Sequence, residues 1–327
     1  MKRKMTMMIN IAEAAQFLLQ NDKYLLLCHI SPDGDTVGSA TALARALKAK
    51  GKQVMIKCGD KITKDYDFLF SGLDMPEFEP EHIVAVDVAD SKLLGTELQA
   101  LYGDRVELCI DHHTTNVLYA KNVCLEPDSA SAAEIVYYVI LEMGVEITPI
   151  IATCLFTGVS TDTGCFRFVN TTVRTFEIAA KLAEKGADTF KVVQTFFETK
   201  TKTYAALERM ALADMRFYFS ERCALICITR DMYEKTGSDE TETARLANLT
   251  RQVEGVLVGV LMKEQKDGSF KISMRTNGDV DASEICGRLG GGGHAGAAAC
   301  TINAPKQKAM NIVLKEIEAE IDSVRID

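Results

Sequence analysis

Short unbroken apolar runs punctuate the first 110 residues, spaced by stretches long enough to hold crossover helices. Tyr24–Cys28 comes first, Val54–Cys58 second, and Ile83–Asp90 and Val106–Ile110 follow. Runs of this length without polar alternation read as strands buried on both faces. Between and after them the spacing predicts helices over 6–20, 39–48, 131–143, 149–159, 172–185, 188–198 and 201–214, with Gly144 as a C-cap. Residues 61–72, carrying Tyr66, Phe68 and Phe70, read as a loop or short helix. Strands alternating with helices predict an α/β fold, with a doubly wound, mostly parallel sheet whose loops converge on one edge.

From residue 216 the rhythm changes. Strand-like stretches at 216–220, 223–229, 255–264 and 269–275 alternate with helices near 239–249 and 282–288, and a helix over about 305–321 follows. A chain of 327 residues exceeds what one hydrophobic core usually serves. The expected division is a first domain at 1–190, a helical linker at 191–215 and a smaller α/β domain at 216–327, facing the first across a cleft.

Composition narrows the function classes. Hydrophobic content of 47% and charged content of 25% are those of an ordinary globular enzyme. A formal charge of −9 argues against gripping long nucleic acid by broad phosphate neutralisation, while leaving room for a small anion in a local basic pocket. The basic start, Met1–Met8, resembles the opening of a signal peptide, but Asn10, Glu13 and Gln16 interrupt any apolar core behind it. No run approaches the roughly 18–20 apolar residues of a membrane span. The ten cysteines form no CxxC pair, and several lie inside apolar runs. They read as reduced thiols in a cytoplasmic protein.

Candidate chemistry collects where strands end. His29, Asp33 and Asp35 sit on a tight turn containing Pro32 and Gly34. Such a turn suits a metal site; it equally suits a helix cap made by the two aspartates beside a structural histidine. Asp87 ends the next-but-one strand, Asp111-His112-His113 follows another, and Asp162 lies in a Gly- and Thr-rich turn. Of the five histidines only His82 stands apart from such turns, and it reads as structural. Carboxylates with a minority of imidazoles favour Mn²⁺ or Mg²⁺ over zinc. Two such ions about 3.5–4 Å apart can share one carboxylate and hold a bridging hydroxide for attack on phosphorus. The landmark of the second domain is Gly290-Gly291-Gly292-Gly293-His294-Ala295-Gly296.

His29-x3-Asp33-x-Asp35, Asp87, Asp111-His112-His113 and Asp162 resemble the four motifs of the DHH phosphoesterase superfamily, and Gly291–His294 resembles the signature of its DHHA1 domain. The likeness spans about residues 20–302, and the architecture is most similar to the bifunctional oligoribonucleases and 3′-phosphoadenosine-5′-phosphate (pAp) phosphatases. The exonuclease RecJ branch is usually longer. The resemblance implies one metal held by His29, Asp33 and Asp87. It implies a second held by Asp35, Asp87, His112 and Asp162, with Asp87 bridging. His113 would face the scissile phosphate and Asp111 would orient the histidine pair. Arg275, His294 and the backbone of Gly291, Gly292 and Gly293 would bind the substrate's phosphate or nucleotide. Arg167 would contact phosphate or pair with a neighbour. One departure is Ala297-Ala298-Ala299, where the family often has Ala-Ala-Gly. The implied enzyme is a hydrolase using two Mn²⁺ ions, with Mg²⁺ or Co²⁺ as substitutes. Its implied partners are short single-stranded RNA or DNA oligonucleotides and pAp, with no long duplex and no membrane; a homodimer is left open. Two other readings stand beside it: a phosphodiesterase of cyclic or linear dinucleotide messengers, and a non-catalytic nucleotide sensor.

Overall fold

Six parallel strands form the sheet of the first unit: β1 (Met7–Met8), β2 (Tyr24–Cys28), β3 (Val54–Cys58), β4 (His82–Val86), β5 (Val106–Asp111) and β6 (Asn122–Leu125). Their spatial order is β1-β6-β5-β4-β2-β3, every neighbouring pair parallel. A computed structural model describes residues 6–238, 243, 246–277 and 280–321, apart from the side chain of His294. The chain divides into two units between Thr199 and Lys200.

The strands are apolar throughout because both faces are covered. Leu26, Val84, Val86, Leu108 and Ile110 pack under the helices Gly34–Ala49, Ala132–Glu142 and Pro149–Asp162. Leu25, Leu27, Ile83, Ala85 and Cys109 face the other way, onto Leu94 and Leu98. The order of the strands reverses beside β2, where the chain first steps outward to β3 and then returns to β4 on the other side. The loops after β2 and β4 therefore diverge, opening a crevice at the carboxyl ends of the strands. His82, at the opposite end of β4, pairs with Glu107 at 2.6 Å, a structural contact.

Helices Gly34–Ala49 and Pro149–Asp162 pack closely because glycines meet backbone. A Cβ at Gly38 would land on the Cys154 carbonyl oxygen and lie 3.0 Å from the Gly158 nitrogen. Gly38→Ala should therefore part the helices and destabilise the protein by about 1–3 kcal/mol. Calorimetry should show a fall in Tm of about 2–4 °C for each kcal/mol; an unchanged Tm would refute this account of the packing.

The second unit carries a mixed sheet in the order β11-β12-β10-β9-β8-β7. Its strands are β7 (Arg216–Tyr218), β8 (Cys223–Ile228), β9 (Val258–Glu264), β10 (Phe270–Thr276), β11 (Gly292–His294) and β12 (Ala297–Ile302). Only the β8–β9 pair is parallel among these described strands. One face packs on Ile285, Val313 and Ile317, from the helices Ala282–Arg288 and Lys306–Ile321. The stretch expected as a linker over 191–215 is parcelled out between the units. Phe196 stacks on Tyr66 in the first, whereas the helix Lys202–Ala213 packs Tyr204, Leu207 and Ala211 against Ile226 of the second. The helix expected over 239–249 falls partly outside the described residues, and Leu246–Arg251 is helical. No helix among the described residues is long and apolar enough to cross a membrane.

Candidate metal centre

The turn after β2 delivers three candidate ligands to the crevice. His29 follows Cys28 directly, and its Nδ1 donates to the Ile30 carbonyl at 2.8 Å, which leaves Nε2 facing the carboxylates. Nε2 lies 3.6 Å from Asp33 Oδ1 and 3.5 Å from Asp87 Oδ2. Asp33 is at once a helix cap and a candidate ligand, since Oδ1 accepts from the amides of Asp35 and Thr36 at 3.0 and 3.1 Å. Asp35 does not cap its own helix. Its carboxylate, 1% exposed, accepts from the amides of Ala132 (2.6 Å) and Ala133 (2.9 Å), at the start of another helix.

A second group forms across the crevice. His112 Nδ1 donates to the Ser129 carbonyl at 3.1 Å, and Nε2 lies 3.9, 3.6 and 3.5 Å from Asp35 Oδ2, Asp87 Oδ1 and Asp162 Oδ2. Asp162 is not in a turn, as the sequence suggests, but is the last residue of the helix Pro149–Asp162. Thr161 to Gly164 look like a turn because the helix stops there; the intrahelical ladder holds the aspartate in place.

Asp87 belongs to both groups. It sits just past β4 with φ +61°, a left-handed conformation that costs a non-glycine residue some strain and aims one oxygen at each side. Its Oδ1 is buried with no hydrogen-bond donor. These gaps of 3.5–3.9 Å are too long for good hydrogen bonds. They approach the roughly 3–3.5 Å between neighbouring donors around an ion at about 2.1 Å. An orphaned carboxylate oxygen amid four aspartates and two imidazoles suits a pair of hard divalent cations.

The electrostatics agree. Burial, then the charges of Asp87 and Asp162, push the Asp35 carboxyl well above the usual carboxylate range. Burial and Asp87 do the same to Asp162. Burial works against the His29 imidazolium, but Asp33 and Asp87 outweigh it and hold its pKa up to about 11. The carboxylates thus need positive charge among them, from protons or from metal.

His113 points to a different task. Its Nδ1 meets Asp111 Oδ1 at 2.8 Å, a contact that, against the cost of burial, raises its pKa to about 9. Asp111 is fully buried; Oδ1 also accepts from the His112 amide and Oδ2 from Asn116 Nδ2 at 2.6 Å. Asp111 thus meets the His113 ring and the His112 backbone, while the His112 ring is set by the Ser129 carbonyl. Arg167 donates Nε to the Gly164 carbonyl at 2.6 Å and rests over Phe197.

In the second unit Gly291–Gly293 does not form a free loop: Gly292–His294 is strand β11, paired with β12. A Cβ at Gly291 would lie 2.5 Å from Cys300 Cβ, so the turn can be made only by glycine. The side chain of His294 lies outside the described structure. Arg275, on β10, donates Nη1 to the Met274 carbonyl at 2.9 Å. Burial and the neighbouring charge of Arg251 lower its pKa, which makes this a locally electropositive place. Sequence reading missed Arg251. It also missed Asn116, which holds Asp111, and the 129–133 backbone, which holds the candidate ligands His112 and Asp35.

Residues 23–159 match the DHH family, N-terminal domain, and residues 225–323 match the DHHA1 domain. The chain is 31% identical over 300 residues to a bifunctional oligoribonuclease and PAP phosphatase of Thermus thermophilus, covering 90% of this chain and 88% of that one. It is 26% identical to a cyclic-di-AMP phosphodiesterase of Geobacillus thermodenitrificans, spanning 88% of this chain but 46% of that protein. Its fold matches the crystal structure of an exopolyphosphatase-related protein from Bacteroides fragilis with a TM-score of 0.87, at 22% identity, over 94% of this chain and 96% of that one.

Proposed function

The chain belongs to the DHH family, with a DHHA1 domain behind its DHH domain, and on that premise we propose that it is a two-metal phosphohydrolase. Its substrates are short oligoribonucleotides, degraded to mononucleotides, and pAp, dephosphorylated to AMP. The observation that carries the reading is the Asp87 carboxylate, with Oδ2 toward His29 and Oδ1 toward His112.

His29, Asp33 and Asp87 would hold one ion, and Asp35, Asp87, His112 and Asp162 the other. Mn²⁺ fits this donor set, with Mg²⁺ or Co²⁺ as substitutes. When bound, the ions would neutralise the phosphoryl oxygens and lower the pKa of an attacking water. The protein's part is positioning and charge. Asp111 engages Nδ1 of His113, so Nε2 is the ring nitrogen with which His113 donates to a phosphoryl oxygen. The Asp111 contact favours the protonated ring, which suits His113 to donate that bond. Arg275 and the backbone around Gly291–Gly293 would take a second phosphate or the nucleotide. The sequence offers no long basic stripe to track a backbone, which favours short substrates.

The test is a hydrolysis panel of pAp, pApA, cyclic di-AMP and RNA 2- to 24-mers, with Mn²⁺ and separately with Mg²⁺. The expected order puts RNA of two to five residues well above the 24-mer in kcat/KM, with mononucleotides released singly and pAp converted to AMP. A kcat/KM that climbs steadily to the 24-mer would refute the two-anchor reading. Cyclic di-AMP as the best substrate would replace it with the dinucleotide-messenger reading.

A further inference from the structure

One turn, residues 129–133, touches two of the four side chains around the second candidate ion and is tied through Asn170 to the backbone of a third. The Ser129 carbonyl accepts from His112 Nδ1 at 3.1 Å. The amides of Ala132 and Ala133 hold the two oxygens of Asp35. Asn170 Nδ2 spans the Ala130 carbonyl (3.0 Å) and the Asp162 carbonyl (3.2 Å), tying the turn to the end of the helix that carries Asp162.

What fixes this turn is a carboxylate that the chemistry above does not use. Glu134 is 0% exposed. Its Oε2 accepts from the Ala130 amide at 3.3 Å, and Oε1 accepts from Thr175 Oγ1 at 2.7 Å. Arg174 Nε stands 3.7 Å from Oε2 and supplies the counter-charge. Taking a carboxylate out of water is costly, and a core residue of the same size would pack without that cost. A charged acceptor does make shorter, stronger hydrogen bonds than a neutral one. Here it braces the backbone of the turn against the helix Val173–Glu184.

We propose that Glu134 is a positioning residue for the second metal site, holding the 129–133 turn so that His112, Asp35 and Asp162 converge. This rests on the two-metal assignment above. Groups one step behind metal ligands typically change affinity by about ten- to a hundred-fold when removed. Glu134 bonds the Ala130 amide and Thr175, and the turn it braces contacts His112 and Asp35 of the second donor set, so the effect should be confined to one ion. His29 and Asp33 are held by Ile30 and by the start of their own helix.

The experiment is a Mn²⁺ titration of the full-length protein, followed by calorimetry and by the EPR signal of free Mn²⁺, with Tm measured alongside. In Glu134→Ala, one of the two dissociation constants should rise about ten- to a hundred-fold while the other stays within about threefold. Glu134→Gln keeps an acceptor for Ala130 and a partner for Thr175, and should recover most of the loss. Thr175→Val, nearly isosteric but lacking the hydroxyl that donates to Oε1, should weaken the same ion by a smaller factor, with its Tm read alongside. Combined with Asp162→Asn, the Glu134 effect should be sub-additive, because both act on one site. Equal weakening of both ions, or unchanged affinities with a lowered Tm, would reduce Glu134 to a structural post. If the unmodified protein binds fewer than two ions, the two-metal assignment itself falls and the proposal with it.

Discussion

Asp87→Asn is expected to abolish both metal sites and to lower kcat/KM for pAp by about 10⁴-fold, on the order of 5 kcal/mol of transition-state stabilisation. The reason is geometric. In the proposed assignment every other ligand would serve one ion, while Asp87 offers Oδ2 to His29 and Oδ1 to His112. Asparagine keeps the shape and tolerates the φ of +61°, so the backbone has little cause to move. It presents one neutral oxygen where the site needs two charged ones. Asp33→Asn or Asp162→Asn should cost about 10²-fold, since each leaves one ion in place. Two retained ions, or unaltered turnover, would remove Asp87 from the bridge position.

The candidate residues that the structure brings together were legible because of where a parallel sheet puts its loops. His29, Asp87 and Asp111-His112-His113 each follow an apolar run at once, and in the structure each run is a strand pointing at the crevice. The layer behind them was not legible. Asp35 is held by two backbone amides some 97 residues away, and amides carry no residue signature. Ser131-x-x-Glu134 does match a capping box, a pattern that announces the start of a helix. The structure bends the pattern: Ser131 caps the helix, but Glu134 reaches to the Ala130 amide and to Thr175. Nothing local says that this turn also holds the ligands of a metal. Strand β1, with two residues, has no pattern to read, and β11 and β12 open on glycines and alanines, too small to register as an apolar run. Their register supplies their stability instead, through β10.

The last expectation joins metal, pH and stability. In EDTA the protein should lose stability as pH rises from 6.5 toward 9, and the gap to the metal-loaded form should widen over the same range. The signs follow from three groups. His29 and His113 have folded pKa values raised to about 11 and about 9 from 6.5, so their contribution is full below 6.5. It is lost as pH climbs from 6.5 toward those raised values, across the tested range for both groups. Asp35, raised by burial first and then by Asp87, keeps its proton in the folded chain after the unfolded chain has released it, so its contribution has the same sign above the usual carboxylate range. A divalent ion reverses the balance, because it binds the deprotonated ligands and its affinity grows as their protons leave. At a free concentration of about 100 times Kd each ion adds about 2.7 kcal/mol. Two ions thus raise Tm by roughly 10–20 °C, at about 2–4 °C per kcal/mol for a unit of this size. Scanning calorimetry at pH 6.5, 7.5 and 9, in EDTA and in excess Mg²⁺, measures the gap directly. A Tm in EDTA that rises with pH, or a gap that shrinks, would mean that the carboxylates and imidazoles of this crevice do not share their charge with a metal.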